Sequence, residues 1–429
     1  MSRLAFFRQS GWLLIATVAN GALMWGVHLV VPRALGEGTY GLYNTLVPLL
    51  SLIGIPAGGL QIILAQQTAS ALTEHDQRQL RGAVRVLGTG IFAIWLVAFI
   101  TVFVLQDYVL SALKISQPAA LWITLLAGLL ILGTPLFAGI IQGRQDFVWL
   151  GWSGMLGGLG RFVGIVVIVA ILGFGITGAM TAVFLGLLLS FTIPAWQTRS
   201  VWQGPTEPFL WKPWLGRVVP LSLGIGATTF IMNADMILVR SLFNENQTGY
   251  YSAAGILGRA LAYFTVPMTQ VMFPKVVQSA ARAERTSVVA QAVGATALLG
   301  GVGALFCTIV PALPLRIIYP EPYLVITPLV PWFAWCVLPL TLANVLINNL
   351  LARSRFKVVP WLVTLALAYG TVLFLISKKI DVTNQLAAFK TIVRVLGCFG
   401  LFVLVVSAWF TWKTTDHARP PGGPTAATI

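Results

Sequence analysis

The sequence predicts an all-α integral membrane protein, with about twelve transmembrane helices in two six-helix lobes that are parallel repeats of one another. Three observations lead there. Charged residues make up 9% of the 429, against about 25% in a soluble domain. Hydrophobic residues reach 57% and the mean hydropathy is +0.86. That balance leaves too little polar surface to face water, and it is far from the low hydrophobicity of a disordered chain. The apolar residues also come in long unbroken runs rather than alternating. Spans in lipid are helices or closed barrels, and continuous runs select helices.

In chain order the predicted spans are 10–32, 44–66, 86–106, 118–141, 149–173, 175–197, 217–241, 250–274, 288–311, 326–351, 358–377 and 388–411. Each supplies the roughly 20 apolar residues a crossing needs. The first follows Arg3 and Arg8, like a signal peptide. It is too long for that role and lacks a cleavage site, so it is kept as a span. The loop 67–85 is expected to lie on the surface, with Thr73 and Asp76 capping a short helix. The fifth span carries Gly151, Gly154, Gly157, Gly158, Gly160 and Gly164, which permit close helix approach. Prolines such as Pro48, Pro56, Pro135, Pro220 and Pro339 predict bends. Asn344 and Asn348 on the tenth span are four residues apart and share a face. They offer donors and acceptors to sugar hydroxyls or to a neighbouring helix. The Pro- and Gly-rich tail 413–429 is expected to be disordered.

The basic residues set the orientation. With the N-terminus in the cytoplasm, 17 of the 27 Lys and Arg residues fall inside, 7 outside and 3 within spans. This bias predicts an even number of spans, both termini cytoplasmic, and a cytoplasmic-membrane location. It also accounts for the net charge of +15 without nucleic acid as a partner. Cys307, Cys336 and Cys398 lie in apolar runs, and His28, His75 and His417 form no cluster, so no metal site or cofactor is expected.

An internal repeat organises the chain. Arg33-Ala-Leu35 with Gly41-Leu42-Tyr43 recurs as Arg240-Ser-Leu242 with Gly249-Tyr250-Tyr251, and Arg144 with Phe147 recurs as Arg353 with Phe356. A duplicated unit of six spans keeps its orientation, so the halves are parallel. The expected division is an N-terminal lobe 1–197, a cytoplasmic linker 198–216 and a C-terminal lobe 217–412. Trp202, Trp211 and Trp214 in the linker are expected interface anchors.

Charge inside a bilayer is costly, about 2.5–3.5 kcal/mol per group on insertion scales. Arg161, Arg259 and Arg394 fall in the fifth, eighth and twelfth spans, with Asp235 as the one acid in a span. Three cations against one acid point to a cationic cavity that suits a phosphate. The bland alternative is a buried Asp235–Arg259 pair with the other two arginines snorkelling or capping helix ends. His28 and Asp235 are equivalent in the two repeats and are the candidates for proton or ion coupling, unless His28 serves only to bond a neighbouring helix.

Asp235-Met-Ile-Leu-Val-Arg240, Gly249 to Ala254, Arg33 to Glu37 with Tyr40-Gly-Leu-Tyr43, and Phe273-Pro274-Lys275 together resemble a known family. It is the lipid-linked oligosaccharide flippases of the multidrug/oligosaccharidyl-lipid/polysaccharide exporter superfamily. The resemblance implies two lobes in a V, alternating access, and an undecaprenyl-diphosphate-linked oligosaccharide as cargo, carried to the outer leaflet for cell-surface polysaccharide biosynthesis. Polysaccharide polymerases or glycosyltransferases would be partners, besides membrane lipids. Twelve spans depart from the fourteen usual in lipid II flippases. On this reading Arg161, Arg259, Arg394, Asn344 and Asn348 bind substrate. A multidrug antiporter of the same superfamily would need more buried carboxylates. A membrane-embedded polysaccharide polymerase or ligase would need a larger outer loop, so the protein is not expected to be an enzyme.

Overall fold

The computed structural model describes residues 3–71, 73–208, 211–260, 287–353 and 355–413. Their regular structure is entirely helical. Helix α1 spans Arg3–Ile53, α2 Leu60–Ser70, α3 Glu74–Val104, α4 Gln106–Ala112, α5 Pro118–Gly143, α6 Phe147–Gly164, α7 Gly175–Gln197 and α8 Arg199–Trp202. The second half comprises α9 Trp211–Leu242, α10 over 245–260, α11 Ser287–Ile309, α12 Ala312–Ile318, α13 Val330–Ala352, α14 Val359–Ser377 and α15 Gln385–Lys413.

Among the described residues, ten helical stretches are long and apolar enough to cross a membrane. The two expected spans beyond these ten are accounted for by a merger and by an incompletely described helix. The first two meet inside α1 with no loop between them, at a kink where Gly36 takes φ 72° and ψ 176°. That backbone conformation suits glycine and strains any other residue. The eighth span is seen as α10 up to residue 260. Its remainder, the Phe273-Pro274-Lys275 motif and the tail from 414 onward lie outside the described residues.

The second span is broken midway. Gly54-Ile-Pro-Ala-Gly-Gly59 interrupts the helix with a single 3₁₀ turn before α2 begins. A broken helix in lipid exposes backbone groups that must find partners. Ser222 of α9 supplies them from the other half of the molecule. Its hydroxyl accepts from the Gly59 N–H at 3.1 Å and donates to the Pro56 carbonyl at 3.0 Å. Gly59 permits this, because a Cβ there would sit 2.9 Å from the Val218 carbonyl.

The expected surface helix in loop 67–85 is instead the start of the third span. Thr73 and Asp76 do form a capping box, with Thr73 Oγ1 accepting from Asp76 N at 3.2 Å. The helix they cap is α3, 31 residues long. The same Thr-Asp signal opens a helix of any length, so the cap alone could not fix where the helix ends. Near the cap, Arg78 donates to Glu74 at 2.8 Å.

The segment after α8 is fastened to the start of α3. Arg85 donates to the Gly204 carbonyl, the Glu207 N–H donates to the Arg78 carbonyl, and His75 Nδ1 lies 2.7 Å from Glu207. Helix α9 already begins at Trp211, where the sequence alone suggested linker. Trp214 is buried on it and Trp211 is exposed.

The two halves repeat one packing plan. In the first, α5 and α6 pack on α7 and α1 packs on α6. In the second, α13 packs on α15, α11 on α13 and α14 on α9. Each half is a bundle of its own, so the molecule has two lobes, and their buried hydrophobic residues form one continuous core.

Candidate functional site

The arginines expected within spans occupy three different environments. Arg161 lies near the end of α6, half-buried. Its Nε and Nη2 donate to the Tyr43 hydroxyl at 3.1 and 2.5 Å, and its Nη1 lies 3.7 Å from the Met24 sulfur. Its Cζ is 5.6 Å from the Tyr43 ring centroid. The seat is built by glycines. A Cβ on Gly186 of α7 would lie 2.6 Å from the Gly157 carbonyl and 2.8 Å from Arg161 Cβ, so α6 and α7 touch backbone to backbone here. Among the described residues, no carboxylate bridges to Arg161. The guanidinium keeps donors free for an anion.

Arg259 is enclosed in the second lobe. Its Nη2 reaches both Asp235 oxygens, at 2.7 and 2.5 Å, and its Nε donates to the Met232 carbonyl at 3.0 Å. Tyr251 donates to Asp235 at 2.7 Å. Asp235 is 0% exposed and Arg259 7%. The Phe333 ring lies under the guanidinium, its centroid 5.5 Å away. Gly255 and Gly258 leave the room, since a Cβ on either would run into Arg259 or Phe333. A pair this dry, with both Asp235 oxygens bonded, is a structural tie in which the acid neutralises the cation.

Arg394 lies on the outside of the second lobe. It is exposed, with its Cζ 4.5 Å from the Trp332 ring centroid. It shares a face of α15 with Leu401, Phe402, Val405 and Trp409, all 52–64% exposed. A bare stripe of large apolar side chains on a spanning helix faces lipid, so Arg394 stands apart from the other two arginines. Asn344 is half-buried and Asn348 exposed. They lie on the α13 face that carries Phe333, the residue packed against Gly255 and Gly258.

His28 bonds across the first lobe, its Nδ1 3.2 Å from the Tyr40 hydroxyl, which is 2.8 Å from the Tyr319 hydroxyl of the second lobe. The sequence reading did not single out these tyrosines as partners. Further contacts join the lobes at the same end. Arg33 donates to the Ile317 carbonyl at 2.9 Å and Lys114 to the Phe243 carbonyl at 2.6 Å. Arg240, fully buried, donates to the Leu113 and Lys114 carbonyls at 2.8 and 2.6 Å. Gly41 lets α1 and α10 touch, since its Cβ would lie 2.7 Å from the Gly249 nitrogen. The signal for this contact was present in the sequence, as the repeated Gly-x-Tyr at 41–43 and 249–251.

Comparison with known proteins agrees with this architecture. A family model described as polysaccharide biosynthesis protein matches residues 6–280. No match was found among curated proteins. An inward-facing multidrug resistance transporter of the MATE family, in the MOP superfamily, superposes with a TM-score of 0.70 at 13% identity, over 92% of this chain and 93% of that one. The outward-facing form of a MATE transporter gives 0.63 at 13% identity, over 95% and 94%. The lipid II flippase MurJ, in an inward closed conformation, gives 0.68 at 12% identity, over 94% and 87%. With a family model covering more than half its length, the chain belongs to the polysaccharide biosynthesis protein family.

Proposed function

We propose that the protein is a flippase that carries a polyprenyl-diphosphate-linked oligosaccharide from the inner to the outer leaflet of the cytoplasmic membrane by alternating access. The reading rests on Arg161. A buried or half-buried cation without a bridging acid, in a family that builds polysaccharides, suits the fixed negative charge of a diphosphate. That charge is common to cargo with any sugar. Arg259 is already neutralised by Asp235, so the diphosphate is assigned to Arg161 first. Asn344 and Asn348 are assigned to the glycan. His28 and Asp235 remain the candidates for coupling to an ion. The cargo's polyprenyl tail stays in lipid, and polymerases or glycosyltransferases act before and after the transfer.

The same geometry speaks against a cation exporter, because Asp235, the one acid expected within a span, is committed to Arg259 and Tyr251. The interlobe bonds at the end bearing Arg33, Lys114 and Arg240 fit a state closed outside and facing inward, with both termini cytoplasmic. A negative-inside potential favours export of an anion by about 2.3 kcal/mol per charge per 100 mV. We assign carriage rather than catalysis to the chain.

The test is reconstitution. Proteoliposomes loaded with a polyprenyl-diphosphate glycan should move it to the opposite leaflet with wild-type protein, and lose that movement with Arg161→Ala. Equal movement by both, or transport of organic cations in place of the glycolipid, would overturn the assignment.

A further inference from the structure

We propose that the groove between α13 and α15, at the Gln385 end, binds the phosphate headgroup of an anionic membrane phospholipid. Lys390 and Arg394 would hold the phosphate and Trp332 would line the seat. This site is separate from Arg161 and does not rest on the cargo assignment.

The site lies on the bare face of α15. Arg394, Cys398, Leu401, Phe402, Val405, Trp409 and Trp412 are exposed, while Leu396, Gly397, Gly400, Val403 and Ser407 are buried. This is one lipid-facing stripe at helical spacing. Its only charges before the far end are Lys390 and Arg394, four residues apart. Like charges at that spacing repel, and in hydrocarbon the repulsion is stronger. Something has to offset it.

No acid on the described surface does so. No carboxylate bridges to either residue, and Asp381 in the preceding loop is turned onto Thr383 by two hydrogen bonds. The Trp332 ring takes both cations, with Arg394 Cζ at 4.5 Å and Lys390 Nζ at 5.8 Å from its centroid. A ring quadrupole attracts each cation but leaves the net charge of the pair unchanged. Elsewhere on the membrane face, Lys378 over Phe374 and Lys413 over Trp409 each have a ring to themselves. Two cations share this one ring, and an anion held by both would offset their repulsion.

Depth selects the anion. Lys390 and Arg394 lie five and nine residues past Gln385, about 8 and 14 Å along the axis. Helical side chains lean back toward the N-terminus, so both charged tips reach toward the headgroup layer, where tryptophan also concentrates. Below them the stripe from Cys398 to Trp409 is apolar and about 17 Å long. A cationic seat above an apolar track matches one phospholipid, with its phosphate on the pair and an acyl chain along the stripe.

The test uses the purified full-length protein in detergent. It is titrated with phosphatidylglycerol or phosphatidylcholine and read by native mass spectrometry. The Lys390→Gln/Arg394→Gln double variant is compared with wild type and with Lys413→Gln. Wild type and Lys413→Gln should bind the first phosphatidylglycerol in preference to phosphatidylcholine, and the double variant should lose about tenfold of that affinity. Equal phosphatidylglycerol binding by wild type and double variant overturns the proposal. Preferential displacement of phosphatidylglycerol by polyprenyl diphosphate also overturns it, since the groove would then belong to the cargo. Should the double variant fail to fold, wild type in nanodiscs decides. Phosphatidylglycerol with a headgroup diazirine should label peptides containing Trp332 or Lys390, and labelling confined to other helices defeats the assignment.

Discussion

Tyr43 and Tyr251 occupy equivalent places in the two lobes, and each meets an arginine by a different route. In the second lobe Tyr251 donates to Asp235, which holds Arg259, and the cation is neutralised. In the first lobe Tyr43 itself accepts from Arg161, and the position equivalent to Asp235 is His28, which bonds Tyr40 instead. The frame was copied and the charge was not. Where an acid is present, the arginine ties two helices together. Where a histidine stands instead, an arginine from a different helix of the repeat, Arg161, meets the tyrosine without a bridging acid. On the proposed assignment the second lobe would be the anchor and the first the binding half.

The largest effect should come from breaking the tie. Asp235→Ala or Arg259→Ala strands a buried charge, which costs about 3–5 kcal/mol, and each should show a marked loss of folded protein and of melting temperature. The double change Asp235→Leu/Arg259→Met should recover most of that stability, because an apolar pair needs no partner. Failure to recover would mean the pair is not a structural tie. Next in size is Arg161→Ala. Loss of a charge-assisted contact of about 1.5–3 kcal/mol should cut glycolipid transport tenfold or more while the melting temperature hardly moves. Arg161→Lys should restore part of the transport, since charge is kept and fork geometry is lost. A similar stability loss in Arg161→Ala and Arg259→Ala would erase the distinction between the lobes.

Smaller effects sharpen it. Tyr251→Phe removes the hydroxyl that serves Asp235 and should lower stability by about 1.5–3 kcal/mol, as for other bonds to charge. Tyr43→Phe should affect transport more than stability. Smallest is Tyr40→Phe, which deletes the hydroxyl pair with Tyr319 across the closed end. A loss of about 0.5–1.5 kcal/mol should shift the balance of closed and open states by roughly two- to tenfold. Spin labels at the exposed Asp107 and Asp381 positions should then report a longer distance population, and an unchanged distribution would remove Tyr40 from the latch.

Much of the architecture was legible in the sequence. Apolar run length set the spans, the Arg33/Arg240 and Tyr43/Tyr251 repeat set the two lobes, and the Thr73–Asp76 pair marked a true helix start. Rotational phase was not legible. A spanning helix is apolar all round, so depth put Arg394 in the same class as Arg161, and only the exposed stripe from Cys398 to Trp412 separates them. Partner choice was legible only as one of two readings. The sequence offered a buried Asp235–Arg259 pair beside a cationic cavity, and the structure forms that pair. The break at Gly54–Gly59 was foreshadowed by Pro56, but its remedy by Ser222 came from 163 residues away.

The fastening of the segment after α8 to α3 sets a limit on how far the halves can part. Glu207 is held at Arg78 and His75, and the second lobe's first helix begins at Trp211. Four peptide links reach at most about 14 Å. On that side the halves share a leash, and while the Glu207 contacts hold, covalent length sets its stroke. The opposite rim, joined by hydrogen bonds such as Tyr40–Tyr319, has no such stop. The two mouths should therefore differ in how wide they gape, with the leashed one the narrower.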